Sequence, residues 1–77
     1  MLPHADYELD LGEQGCGQLL IELLFAMRKL APGQTLLVTA YDPAAAGDIA
    51  AWCRMTGHEL LAEQEGEQRN RYFLRKA

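Results

Sequence analysis

The sequence predicts an α/β (α+β) two-layer sandwich in the order β-α-β-α-β-β, a four-stranded mixed sheet carrying two helices on one face. Three observations predict it. Three short stretches alternate their residues between two faces with a period of two, a fourth lies between turn residues, and two longer ones repeat apolar residues at helical spacing. The chain has 77 residues, enough for one core and no second domain. Each strand–helix–strand unit crosses over right-handed, which puts both helices on the same side and opens the other sheet face to solvent.

The first strand spans residues 6–11, with Tyr7, Leu9 and Leu11 on one side and Glu8 and Asp10 on the other. Gly12 to Gly15 reads as a turn. A helix follows from Gly17 to Ala31, with Leu20, Leu23, Leu24, Met27 and Leu30 (or Ala31) at helical spacing. Arg28 and Lys29 suit its negative C-terminal pole, and Pro32-Gly33 stops it. Gln34 to Tyr41 is the second strand, with Leu36, Val38 and Ala40 facing one way and Leu37, Thr39 and Tyr41 the other. Asp42-Pro43 signals a helix start, a capping carboxylate followed by proline at the first helical position. That helix runs to Thr56, buries Ala45, Ile49, Trp52 and Cys53, and is closed by Gly57. His58 to Gln64 is the third strand, Glu65-Gly66-Glu67-Gln68 turns the chain, and Arg69 to Lys76 returns as the fourth. Residues 1–5 read as a loose lead-in to a single domain covering 1–77.

Composition removes several function classes. The net charge is −4 with a sequence pI near 4.9, which argues against direct nucleic-acid binding or attachment to an anionic membrane. The two cysteines form no C-x-x-C pair and cannot staple a secreted scaffold. The N-terminus lacks a signal-peptide pattern, and the longest apolar run is broken by Glu22 and is too short to span a bilayer. The expectation is a soluble cytoplasmic protein with free thiols. Two cysteines and two histidines without clustered spacing give no metal site, and no cofactor is expected. Gly12-x-x-Gly15-x-Gly17 fits neither a phosphate loop nor a dinucleotide fingerprint.

Cys16 is the residue with chemical promise. It stands at the start of the first helix, where unpaired N–H groups and partial positive charge favour thiolate over thiol. The backbone N–H groups of Gly17 and Gln18 are the donors nearest in sequence to a sulfur anion there. Glu13 adds an opposing negative charge. Cys53 reads as a core residue, and His58 as structural at a strand start. Asp42 and Asp48 read as a cap and a helix-surface charge. Arg69, Arg71 and Arg75, with Phe73 among them, form a basic strip. Such a strip either guards a sheet surface or docks an acidic partner.

Read together, Leu9-Asp10, Cys16, Pro32-Gly33, Asp42-Pro43, Asp48-Ile49, Trp52-Cys53, Gly57-His58-Glu59-Leu60 and Tyr72-Phe73-Leu74-Arg75-Lys76 resemble the TusA/SirA-like sulfur-carrier family in order and spacing, from Asp6 onward. The resemblance implies that Cys16 carries sulfur as a persulfide. A cysteine desulfurase or a rhodanese-type donor would load it, and an acceptor protein would take the sulfur onward. Destinations in such families include tRNA uridine thiolation, molybdenum-cofactor enzymes and sulfur oxidation. The family signature is Cys-Pro-x-Pro, whereas this chain reads Cys16-Gly17-Gln18-Leu19. Both prolines, which pre-set the backbone at a helix start, are replaced, and Gly17 gains an N–H that proline lacks. The other function class open to this scaffold is a non-catalytic interaction or regulatory module.

Overall fold

The computed structural model describes residues 4–12, 16–41, 44–66 and 69–77, with residues 16 and 17 described through their backbone. The element order is β1 (Tyr7–Asp10), α1 (Cys16–Arg28), β2 (Thr35–Ala40), α2 (Ala45–Thr56), β3 (Glu59–Gln64) and β4 (Asn70–Arg75). This is the predicted order. The predicted turn at 13–15, the Asp42-Pro43 cap and Glu67-Gln68 lie outside the described residues.

The sheet order is β1-β2-β4-β3. Parallel pairing sets Tyr7 beside Leu36 and Asp10 beside Thr39. The antiparallel β2–β4 pair aligns Thr35 with Arg75, Leu37 with Phe73 and Thr39 with Arg71. β3 joins β4 with Leu60 opposite Leu74 and Ala62 opposite Phe73, so a bulge falls at Leu61. Pairing continues past the strand ends, where Gly33 N–H donates to Lys76 O and Lys76 N–H donates to Gln34 O, both at 2.9 Å.

Strand alternation sorts the residues as a period of two requires. Leu36, Val38 and Ala40 of β2 and Tyr72 and Leu74 of β4 are buried in one apolar cluster. Leu19, Leu23, Ala26 and Met27 of α1 and Ala45, Ile49, Trp52 and Cys53 of α2 join the same cluster. Leu37, Thr39, Arg71, Phe73 and Arg75 belong to the other strand face and contribute nothing to it. Phe73 is nonetheless only 5% exposed, and its neighbour Leu37 is half-buried, so the solvated surface expected on that face does not extend to this pair.

The helices end for identifiable reasons. Gly57 takes a left-handed φ of 86° and its N–H donates to Cys53 O at 2.9 Å, closing α2 as predicted. Beyond α1 the Gln34 side chain accepts from Ala31 N–H at 2.7 Å, and Lys76 Nζ donates to Leu30 O at 2.5 Å. The buried stripe of α1 differs from the predicted one. Leu19, Leu23, Ala26, Met27 and Leu30 face inward, while Leu24 is 40% exposed. The cause is that α1 is apolar on most of its circumference, so several stripes share the helical period.

Candidate functional site

Cys16 is the first residue of α1, with Gly17 and Gln18 as the second and third. The first four N–H groups of an α-helix find no acceptor within the helix, and the aligned peptide dipoles leave positive charge at this end. No acidic residue occupies the first turn of α1. The Gln18 carboxamide is committed along the helix, donating from Nε2 to Glu22 Oε1 at 3.2 Å, so its backbone N–H is what it offers at the helix start. Glu13, expected to oppose the helix charge, lies outside the described residues.

The strand leading to α1 is tied down where it ends. Leu11 N–H donates to Thr39 O at 2.9 Å, which carries the β1–β2 pairing one residue past β1. Asp10 then organises the turn: its Oδ1 accepts from Gly12 N–H at 2.9 Å and its Oδ2 from the Tyr41 hydroxyl at 3.2 Å. Gly12 has a φ of 60°, a conformation that glycine adopts without side-chain strain. At the opposite end of β1, Asp6 Oδ2 accepts from Thr35 N–H at 2.9 Å and from the Thr35 hydroxyl at 3.0 Å, while Asp6 N–H donates to Thr35 Oγ1 at 3.1 Å. The strand that delivers Cys16 is thus held at both ends.

The register shows which predicted residues share an end of the sheet with Cys16. Asp10, Thr39, Arg71 and Gln64 form one row across the four strands, at the end from which α1 departs. Arg71 is half-buried in that row, and Arg69 is exposed just before β4. Phe73 lies mid-strand. Arg75 pairs with Thr35 and Glu59 in the row at the far end, roughly 13 Å from Arg71 along the strand, and forms an ion pair with Glu59. The arginine strip therefore divides, Arg69 and Arg71 toward the Cys16 end and Arg75 away from it.

His58 also lies at the far end, next to Glu59. Its ring sits 5.2 Å from the Trp52 ring, tilted by 35°, and its Nδ1 accepts from Ala77 N–H at 3.0 Å. Burial, then the nearby Lys76 charge, lowers its pKa below 6.5. It packs against Trp52 at the end of the sheet opposite to that from which α1 departs. Cys53 is buried in the core and burial pushes its thiol pKa up, the opposite of what a nucleophile requires. Among the described residues no group of three or more His, Cys, Asp or Glu residues could hold a metal ion, and no described helix is long and apolar enough to cross a membrane.

One surface escaped the sequence reading. Ile21, Leu24 and Phe25 of α1 are 47%, 40% and 52% exposed, on the side of the helix turned from the core. The signal was available in the unbroken apolar run Leu19-Leu20-Ile21, followed after Glu22 by Leu23-Leu24-Phe25. More apolar residues stand there than one buried stripe can absorb.

Residues 7–76 match the sulfurtransferase TusA family. The match takes in every strand and both helices, and Cys16 with them. A four-stranded mixed sheet in β-α-β-α-β-β order, a cysteine opening the first helix and a family match over nearly the whole chain converge, and the chain belongs to the TusA sulfurtransferase family.

Proposed function

We propose that this protein carries sulfur as a persulfide on Cys16, between a donor protein and an acceptor protein in the reducing cytoplasm. Membership of the TusA family supports a sulfur-carrier role in general. The observation that carries the specific reading is Cys16 as the first residue of a 13-residue helix with no acid in its first turn. A helix start favours sulfur anions by its dipole and its free N–H groups.

The exchange is redox-neutral. The Cys16 thiolate attacks the outer sulfur of a donor persulfide, of cysteine desulfurase or rhodanese type. The new Sγ–S bond forms as the donor's S–S bond breaks, and the donor cysteine leaves as thiolate with the electron pair. The second step repeats the first in the other direction: an acceptor thiolate takes the outer sulfur and Cys16 departs as thiolate. Both Cys16 leaving as thiolate and the persulfide anion gain from the Gly17 and Gln18 N–H groups. Gly17 supplies a donor that a proline at this position would remove. Arg69 and Arg71 offer acidic partners a cationic margin at this end of the sheet, with Phe73 and Arg75 further along the same strand. Thiolation of tRNA is one outlet for such sulfur, reached through an acceptor protein.

Incubation with a cysteine desulfurase and cysteine, followed by intact mass measurement, tests the reading. The expected result is one added sulfur atom, lost in Cys16→Ser and kept in Cys53→Ser. A Cys16 alkylation profile should show a midpoint below the free-cysteine value of about 8.5. An ordinary midpoint together with no sulfur uptake from any donor would leave a non-catalytic interaction module on this fold.

A further inference from the structure

The carboxylate of Asp10 reaches both strand–helix junctions at the Cys16 end of the sheet. Asp10 is the last residue of β1 and lies beside Thr39 of β2. Its Oδ1 accepts from Gly12 N–H at 2.9 Å, on the path from β1 to α1. Its Oδ2 accepts from the Tyr41 hydroxyl at 3.2 Å, just past β2 and on the path to α2. Tyr41 is 31 positions further along the chain, so this second bond joins two connections that the sequence keeps far apart.

Cys16 needs such a fixture. Gly17, the second residue of α1, has more backbone freedom than any other residue type, so the helix does not fix its own start. The fixing must come from either side. Leu11 before Cys16 and Leu19 after it are 2% and 1% exposed and belong to one apolar cluster. Their burial anchors the flanks without setting the direction of the chain between them, because apolar contact is not directional. Hydrogen bonds are directional. The Asp10 carboxylate grips the turn at Gly12, where φ is 60°, and moors it to Tyr41. Cys16 follows Gly12 by four residues, a span of no more than roughly 14 Å, so a shift at the turn is felt at the helix start.

We propose that Asp10, with Tyr41, is a positioning residue for Cys16: the carboxylate latches the two strand–helix junctions together and so sets the helix start whose N–H groups stabilise sulfur anions. The proposal rests on the persulfide-carrier reading and adds the group that holds its nucleophile in place. Asp10 does not act through its charge. A carboxylate's charge works against a neighbouring thiolate, so charge and geometry pull in opposite directions and substitution separates them. A carboxylate that only stiffened the fold would change stability and leave the ionisation of Cys16 in the folded protein alone.

Alkylation of Cys16 by iodoacetamide against pH tests the latch, with peptide mass used to count Cys16 apart from Cys53. Wild type and three variants are compared, each checked for native circular dichroism. Asp10→Ala loses both bonds and the charge. Its midpoint should rise by about half a pH unit or more, a roughly threefold smaller thiolate fraction at neutral pH. Asp10→Asn should rescue, since its Oδ1 accepts from Gly12 N–H and its Nδ2 donates to the Tyr41 hydroxyl oxygen. With the charge gone and the latch kept, its midpoint should stand at or below the wild-type value. Tyr41→Phe removes one bond and should raise the midpoint by less than Asp10→Ala does. An unmoved or lowered midpoint in Asp10→Ala or in Tyr41→Phe overturns the proposal, as does a rise in Asp10→Asn equal to that in Asp10→Ala. Should Asp10→Ala fail to fold, Tyr41→Phe decides alone. A wild-type chain that takes sulfur from no donor overturns the carrier reading instead, whereas the latch stands or falls on the differences among the variants.

Discussion

Tyr72 illustrates how a single atom sets a local cost. Its side chain is among the largest fully buried ones, and its hydroxyl has no hydrogen-bond partner among the described residues. The nearby Asn70 side chain accepts from Gly66 N–H at 3.1 Å. Burial raises the phenol's pKa, in keeping with an unionised group held in the core. A buried hydroxyl without a partner forfeits its hydration, so Tyr72→Phe should stabilise the fold by about 1 kcal/mol, read from urea denaturation midpoints. Loss of stability in that variant would mean that the hydroxyl is hydrogen-bonded after all, by the neighbouring Asn70 side chain or by water. Tyr72 as a strand residue facing inward was legible from its alternation with Arg71 and Phe73; the state of its oxygen was not, because it depends on neighbours brought in by β3. Cys16 was legible for the opposite reason, since its chemistry comes from the helix that it opens.

Helices make their own predictions. At Gly57 the left-handed turn that ends α2 excludes a Cβ on grounds of backbone conformation alone. Gly57→Ala should therefore cost about 1 kcal/mol of stability. The face of α1 can be tested in the same way. Leu23→Ala empties a fully buried site and should cost about 3 kcal/mol, whereas Leu24→Ala should cost less than about 1 kcal/mol. Equal costs at the two positions would restore the stripe read from the sequence. Of the two helices, that reading went astray at α1, because Leu19 through Phe25 offer apolar residues in almost every direction and only tertiary contact chooses among them. For α2 one apolar stripe stands against Asp48 and Arg54, and the sequence named its four buried residues correctly.

For the molecule as a whole, two groups tie stability to pH. Asp6 has its pKa lowered from 3.8, first by the Thr35 N–H and then by the Thr35 hydroxyl, so the unfolded chain takes up the proton more readily. Its contribution is complete above pH 3.8 and fades as acid carries the pH down through the folded value. His58, lowered from 6.5 by burial and by Lys76, behaves alike in a higher window: its contribution is complete above 6.5 and declines below it, as protonation takes away the acceptor for Ala77 N–H. Denaturation midpoints measured from pH 8 to 3 should fall in two stages, and Asp6→Asn should remove the lower one. The order of the elements along the chain and the alternation of β1, β2 and β4 were visible in the residue pattern, whereas the strand order within the sheet was not. The Asp6–Thr35 link was not, since 29 positions separate its members and nothing local announces the pair.

The position of β4 between β2 and β3 has a consequence for biogenesis. As the polypeptide is synthesised, β1, α1 and β2 emerge first, then α2 and β3, but these two portions share no sheet hydrogen bonds until residues 70–75 slot in between them. The seam closes last, so the protein completes its fold only after nearly all of the described chain has left the ribosome, and a message cut short before Asn70 yields fragments that chaperones and proteases should clear.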